Sequence, residues 1–153
     1  MFEYKMDHIM SYNATLEVPE IIGEVPEGFR ANFYVNGGTI SGPKVFGRFR
    51  PTGGDWLLLR RDGVAILDIK ATAETNDGAL LYFSVGGMID LGPNGYREFL
   101  DGVPLASGTP IRISPRVWTS HPDYLWLNRL FLVGVGGAFI ERSEVAYDLY
   151  AVV

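Results

Sequence analysis

The chain has 153 residues, 47% of them hydrophobic and 20% charged, a globular rather than disordered composition that fits one domain over residues 1–153. It has no cysteine, which excludes disulfides, a thiolate nucleophile and a cysteine zinc site. A net charge of −5 opposes phosphate backbones, so nucleic acid is not an expected partner.

The first ten residues carry charges throughout and lack the apolar segment of a secretory signal. The longest mostly apolar run, Leu130–Ile140, falls well short of the roughly 20 residues a spanning helix needs. The expectation is a cytoplasmic protein with no membrane partner.

Phe2, Tyr4, Met6, His8 and Met10 alternate with Glu3, Lys5 and Asp7, a period of two that predicts a half-buried strand with His8 on its apolar side. Tyr12, Ala14, Leu16 and Val18 repeat the pattern. Pro19–Gly28 reads as a loop from its two prolines and two glycines, and Arg30–Val35 as a strand ended by Asn36-Gly37-Gly38. The central block then contains three turn signals, Pro51-Thr52-Gly53-Gly54, Asp62-Gly63 and Asn76-Asp77-Gly78. They separate strands expected at 44–50, 55–61, 64–74 and 79–86, the pattern of an antiparallel meander. Tyr96–Asp101 fits a strand remnant or one helical turn. Ile111–Trp118 is a strand confined to an edge or bulged by Pro115. His121-Pro122-Asp123 opens a short helical turn, and Leu130–Val135 and Glu144–Val152 close the chain as strands.

Leu57-Leu58-Leu59, Leu80–Val85 and Phe131–Val133 are apolar on both faces, whereas an open antiparallel sheet with one wet face would alternate. These strands need cover on both sides. The fold class that follows is all-β, a closed or nearly closed antiparallel barrel of about 8–11 strands with at most one or two short helical turns. A partner subunit would supply the outer cover, so a homo-oligomer is expected.

Two glycine-rich segments invite a cofactor reading and fail it. Gly37–Lys44 has Pro43 where a phosphate needs an amide donor, and it runs into a strand rather than a helix. After Gly134-Val135-Gly136-Gly137 too little chain remains for a dinucleotide-binding βαβ unit. His8 and His121 stand in no ligand spacing, so no metal and no cofactor is expected.

On strand 64–74 one face carries Ala65, Leu67, Ile69, Ala71 and Ala73; the other carries Val64, Ile66, Asp68, Lys70, Thr72 and Glu74. Polar-out alternation would leave Asp68 and Lys70 in solvent. The apolar start of their face allows the opposite, an ionisable pair inside a lumen and fit for proton transfer. Asp55-Trp56 follows a turn, where Asp55 either braces backbone amides or joins the chemistry. Trp126-Leu127-Asn128 offers either a clamp for a flat ligand or a plug at the barrel end. Lys44, Arg48, Arg50, Arg60 and Arg61 gather on one hairpin, as a solvated edge or a patch for a substrate carboxylate.

The motifs Gly37–Gly47, Gly54-Asp55-Trp56, Arg60–Lys70, Thr75–Ala79 and Trp126-Leu127-Asn128, taken in order, resemble the bacterial and fungal family of domain of unknown function 3237. The resemblance runs from about Asn36 to the C-terminus and implies a single-domain antiparallel β-barrel. It also implies lyase chemistry on small aromatic acids, of the hydroxylaminobenzoate lyase kind. Relatives often carry arginine where this chain has Lys70, which puts bidentate substrate binding there in doubt.

The expectation is therefore a barrel that binds a small, flat carboxylic acid and runs a cofactor-free lyase, hydratase or isomerase step. Asp68, Lys70 and Asp55 are the candidate catalytic residues. Trp56, Arg48, Arg60, Tyr82, Trp126 and Asn128 are the candidate binding residues. A non-catalytic ligand carrier or sensor, or a structural oligomerisation domain with a solid lumen, are the alternatives.

Overall fold

A computed structural model describes residues 1–153. Nine strands form one antiparallel sheet: β1 (Met6–Leu16), β2 (Glu20–Val25), β3 (Gly28–Ser41), β4 (Gly47–Arg60), β5 (Val64–Thr75), β6 (Leu80–Asp90), β7 (Thr109–Trp118), β8 (Leu132–Phe139) and β9 (Glu144–Val152). The strands lie in the order β1-β9-β8-β7-β6-β5-β4-β3-β2, and an additional β1–β3 pairing closes eight of them into a barrel. Closure removes the edges that an open sheet would expose. β2 stays outside the ring, paired only with β3. One short helix, α1 (Gly95–Leu100), follows β6, and a 3-10 helix, Pro122–Arg129, links β7 to β8.

Two expected breaks do not end their strands, and a third irregularity was not expected. Pro51-Thr52-Gly53-Gly54 lies within β4: Phe49 pairs with Ala73 and Gly53 with Ala71, so β4 spends four steps where β5 spends two. Asn36 is a single extra residue in β3, between Val35 opposite Leu16 and Gly37 opposite Thr15. Ile9 is likewise extra in β1, between His8 opposite Tyr150 and Met10 opposite Leu149. A bulge bends a long strand without ending it, and one extra residue exchanges the two faces. That exchange corrects the reading of His8. Met10 is fully buried, but His8, beyond the bulge, is exposed on the outer face and packs on Tyr150.

Asp62-Gly63 and Asn76-Asp77-Gly78 do turn the chain, with φ of 90° at Gly63 and 88° at Gly78, a conformation glycine adopts without steric cost. The segment expected as loop, Pro19–Gly28, contains β2; its prolines flank that strand and so remove no ladder donor. Pro115 lies on a stretch of β7 that pairs with β6 but runs past the last β8 pairing, at Ile113.

The interior has a solid half and a hollow half. Met10, Leu81, Val117, Leu132 and Leu149 fill one end, closed by Leu127 of the 3-10 helix, all nearly inaccessible. Tyr124 ties that helix to the β5–β6 hairpin by donating to Asp77 at 2.8 Å. Toward the other end the inward residues shrink to Ala31, Ala65, Ala71 and Ala138, and a cavity remains. Facing outward, Leu80, Tyr82, Met88 and Trp118 are left uncovered by the chain itself. No helix is long and apolar enough to cross a membrane.

Candidate active site in the barrel lumen

The cavity has a volume of about 280 Å³, near the lower end of the range for small-molecule sites. Its walls come from the inward alternation of β3, β4, β5, β6, β7 and β9: Phe33, Leu57, Leu67, Val85, Ile111 and Val145 among others. Its floor is an aromatic cluster in which the Tyr12 ring lies 5.1 Å from Phe49, 5.8 Å from Phe83 and 5.1 Å from Tyr147. Its rim is Pro19 and Ile21 beside β3, Leu91 and Phe99 around α1, Leu105, and Ile140 after β8. Phe99 is held by edge-on contact with Phe29 at 5.0 Å, and Tyr96 of the same helix donates to Glu24 at 2.8 Å.

Asp55 is the one acidic or basic side chain lining this cavity. It points inward because it shares the alternation of Leu57 and Leu59, opposite Ile69 of β5 and Phe33 of β3. Its carboxyl accepts the Asp68 backbone N–H at 2.9 Å. Burial in the apolar lumen pushes its pKa up from 3.8 to about 7; the amide bond opposes that rise and the Asp68 charge adds to it. A carboxyl in that range exchanges protons at neutral pH in either direction.

Two further residues with a polar group line the lumen, Tyr12 and Tyr147. Burial holds both phenols above their ordinary pKa, and at Tyr147 the charges of Tyr12 and Asp55 add to the effect. Both remain neutral donors over the working pH range. Gly136 of β8 makes room for Tyr147: a Cβ there would come within 2.4 Å of the ring and 2.1 Å of the Ala146 carbonyl. The glycine run that fails as a dinucleotide fingerprint thus has a steric use. Neither tyrosine is among the residues expected from the sequence. Each nonetheless lies in the apolar alternation of its strand, Tyr12 with Ala14 and Leu16, Tyr147 with Val145 and Leu149, and a tyrosine in such a row is the signal that could have found them.

The other expected site residues lie elsewhere. Asp68 and Lys70 form an ion pair at 2.8 Å on the outer face of β5, with side chains 65% and 43% exposed. Lumen placement of this pair is corrected by the pleat, which sends Ala65, Leu67, Ile69 and Ala71 inward and the alternate residues out. Trp56 is also on the outer face, edge-on to Tyr34 at 6.4 Å, and its carbonyl accepts from Arg30. Arg48 faces solvent near Glu74, and Arg60 pairs with Asp62. Tyr82 stacks on Trp118 outside the barrel at 5.9 Å. Trp126 and Asn128 belong to the solid end. Trp126 packs against the core and donates to the Asp123 carbonyl, while Asn128 clasps the Thr119 backbone through both amide atoms at 2.8 Å. Of the expected residues the lumen holds Asp55 alone.

The structure also gathers His8, Ser11 and Asp148 on the outer face. The Ser11 hydroxyl donates to Asp148 and lies 3.0 Å from His8 Nε2. Serine sits between the other two, so the imidazole is not oriented by the acid and cannot act as a triad base.

A family described as "Protein of unknown function (DUF3237)" matches residues 4–152. A UPF0311 protein of Rhodopseudomonas palustris is 31% identical over 137 residues, covering 85% of this chain and 84% of its own. Another, from Bradyrhizobium diazoefficiens, is 29% identical over 150 residues, covering 92% and 93%. Among solved structures, a conserved protein of unknown function from R. palustris superposes with a TM-score of 0.86 at 26% identity over the whole of both chains. A β-barrel-like protein from Acinetobacter baumannii does so at 0.81 and 25%, covering 100% of this chain and 98% of its own. An enzyme from Penicillium herquei shares the fold at 0.70 and 19%, covering 98% and 96%. Matched from residue 4 to residue 152, the chain belongs to the DUF3237 family.

Proposed function

We propose that the protein is a cofactor-free proton-transfer enzyme, a lyase, hydratase or isomerase, acting on a compact, flat organic molecule held in the lumen. Asp55 is its general base and acid. The observation that carries this is a lone carboxyl, raised to about 7, in a largely apolar cavity large enough for a ligand. Catalytic carboxyls are tuned in this way by burial. The hollow lumen also argues against a purely structural barrel, whose interior would be filled.

A thermal-shift screen of compact aromatic and carbonyl compounds identifies ligands through the rise in Tm on binding. Hits are then assayed for turnover and for C–H exchange in deuterated water. Asp55→Asn is expected to lower turnover by about 10²–10⁴-fold, whereas Asp68→Asn and Lys70→Met leave it near wild type. Wild-type turnover in Asp55→Asn sinks the assignment. A ligand that binds both proteins and is never turned over makes the barrel a carrier.

A further inference from the structure

The cavity contains no cation. Lys44, Arg48, Arg50, Arg60 and Arg61, the cluster that could grip a carboxylate, are all absent from its lining. An anionic ligand would bring a second negative charge beside Asp55 into an apolar space with no counter-ion, which is strongly unfavourable. A neutral ligand meets no such penalty. The polar groups available to it are two phenols: Tyr12 and Tyr147 are 8% and 4% exposed, and their rings lie 5.1 Å apart on the cavity floor. Neither hydroxyl has a hydrogen-bond partner in the protein, no side-chain polar atom is sealed off without one, and both residues line the cavity, so two unpaired phenol oxygens are available there. Paired neutral donors and a single carboxyl in one cavity suit an oxygen that gains negative charge during reaction rather than one that arrives charged.

We propose that the lumen takes an uncharged carbonyl compound, its oxygen accepting hydrogen bonds from Tyr12 and Tyr147 and its α-carbon facing Asp55. This rests on the general-base reading of Asp55. The Asp55 carboxylate removes an α-proton, breaking the C–H bond and forming O–H. The electron pair enters the new carbon–carbon double bond, and the carbonyl oxygen becomes an enolate oxygen held by the two phenols. Return of the proton to the α-carbon gives exchange; delivery to the γ-carbon of a β,γ-unsaturated ketone gives the conjugated isomer. No oxidant or co-reactant is required.

The test compares acetophenone with benzoate, similar in size and differing in charge. Calorimetry at pH 8 is expected to show saturable acetophenone binding, about tenfold or more tighter than benzoate. The infrared C=O band of bound acetophenone is expected below its frequency in hexane, and Tyr12→Phe and Tyr147→Phe each to reverse part of that shift. Equal or tighter benzoate binding, no saturable acetophenone binding, or a band that neither substitution moves overturns the proposal. The wild-type ligand comparison needs no variant, so it decides even if one tyrosine substitution fails to fold. Deuterium exchange into the acetophenone methyl separates the two assignments. If Asp55→Asn leaves exchange intact, the base is wrong; if it stops exchange while the band ignores both tyrosines, the oxygen site is wrong.

Discussion

The two halves of the barrel are made from the same strands yet end differently, one solid and one hollow. In the solid half Met10, Leu81, Val117, Leu132 and Leu149 meet from opposite walls, and Leu127 closes the end. In the hollow half alanines at 31, 65, 71 and 138 set the walls back, and Asp55 stands among them. The solid half supplies stability through close packing. The hollow half gives up that packing for a space in which one carboxyl is poorly solvated. The difference shows how a continuous sheet keeps a rigid foundation directly beneath a site.

The largest expected effect on stability is at Asp55. Its folded pKa, about 7, lies above its unfolded value, so between roughly pH 4 and 7 the folded state binds more protons than the unfolded one. The contribution of this group to stability is then highest below about pH 4, falls as pH rises through this window, and is level above it. Asp55→Asn keeps an acceptor for the Asp68 amide but lacks this slope. Relative to wild type it should gain up to about 4 kcal/mol by pH 8, measured as the difference between denaturant melts at pH 4 and pH 8. A constant difference would show that the carboxyl is not desolvated.

Truncation should distinguish the halves next. Leu149→Ala, in the solid half, is expected to cost about 3 kcal/mol because its neighbours cannot collapse into the void. Gly134→Ala should follow at about 1–3 kcal/mol, since a Cβ there would lie 2.4 Å from Ile113 and 2.7 Å from Leu149. Leu57→Ala, facing the existing cavity, should cost about 1–2 kcal/mol, below Leu149→Ala, because its side chain already lacks neighbours on one side. Equal costs at Leu57 and Leu149 in denaturant melts would erase the distinction. The smallest effect belongs outside the barrel: Asp68→Asn should change stability by about 0.5 kcal/mol or less, as exposed ion pairs do.

Much of the fold was legible because its signals are local. Asp62-Gly63 and Asn76-Asp77-Gly78 carry their turn geometry in their own residues, and period-two alternation divides each strand into two rows without outside help. The strands apolar on both faces pointed to closure for the same reason. The turn expected at Pro51–Gly54 and the strand end expected at Asn36–Gly38 are both bulges, because glycine and proline serve a bulge as readily as a hairpin; the choice depends on the neighbouring strand's register.

The candidate site was legible only in part. Val64, Ile66, Asp68 and Lys70 form one row in sequence, and a row does not state which side of a closed sheet it faces. His8 and Met10 share a parity, and one extra residue at Ile9 sends them to opposite sides. The amino-acid sequence by itself determined most of the strands, two tight turns, the apolar rows and the absence of thiol chemistry, all properties of residues close along the chain. Only the tertiary structure decided which row became the lumen, that Asp55 rather than Asp68 would lose its water, and that Tyr12 and Tyr147, far apart in sequence, would stand over the same cavity. Burial is a property of the closed barrel, and it is burial that makes an ordinary aspartate a base for neutral pH.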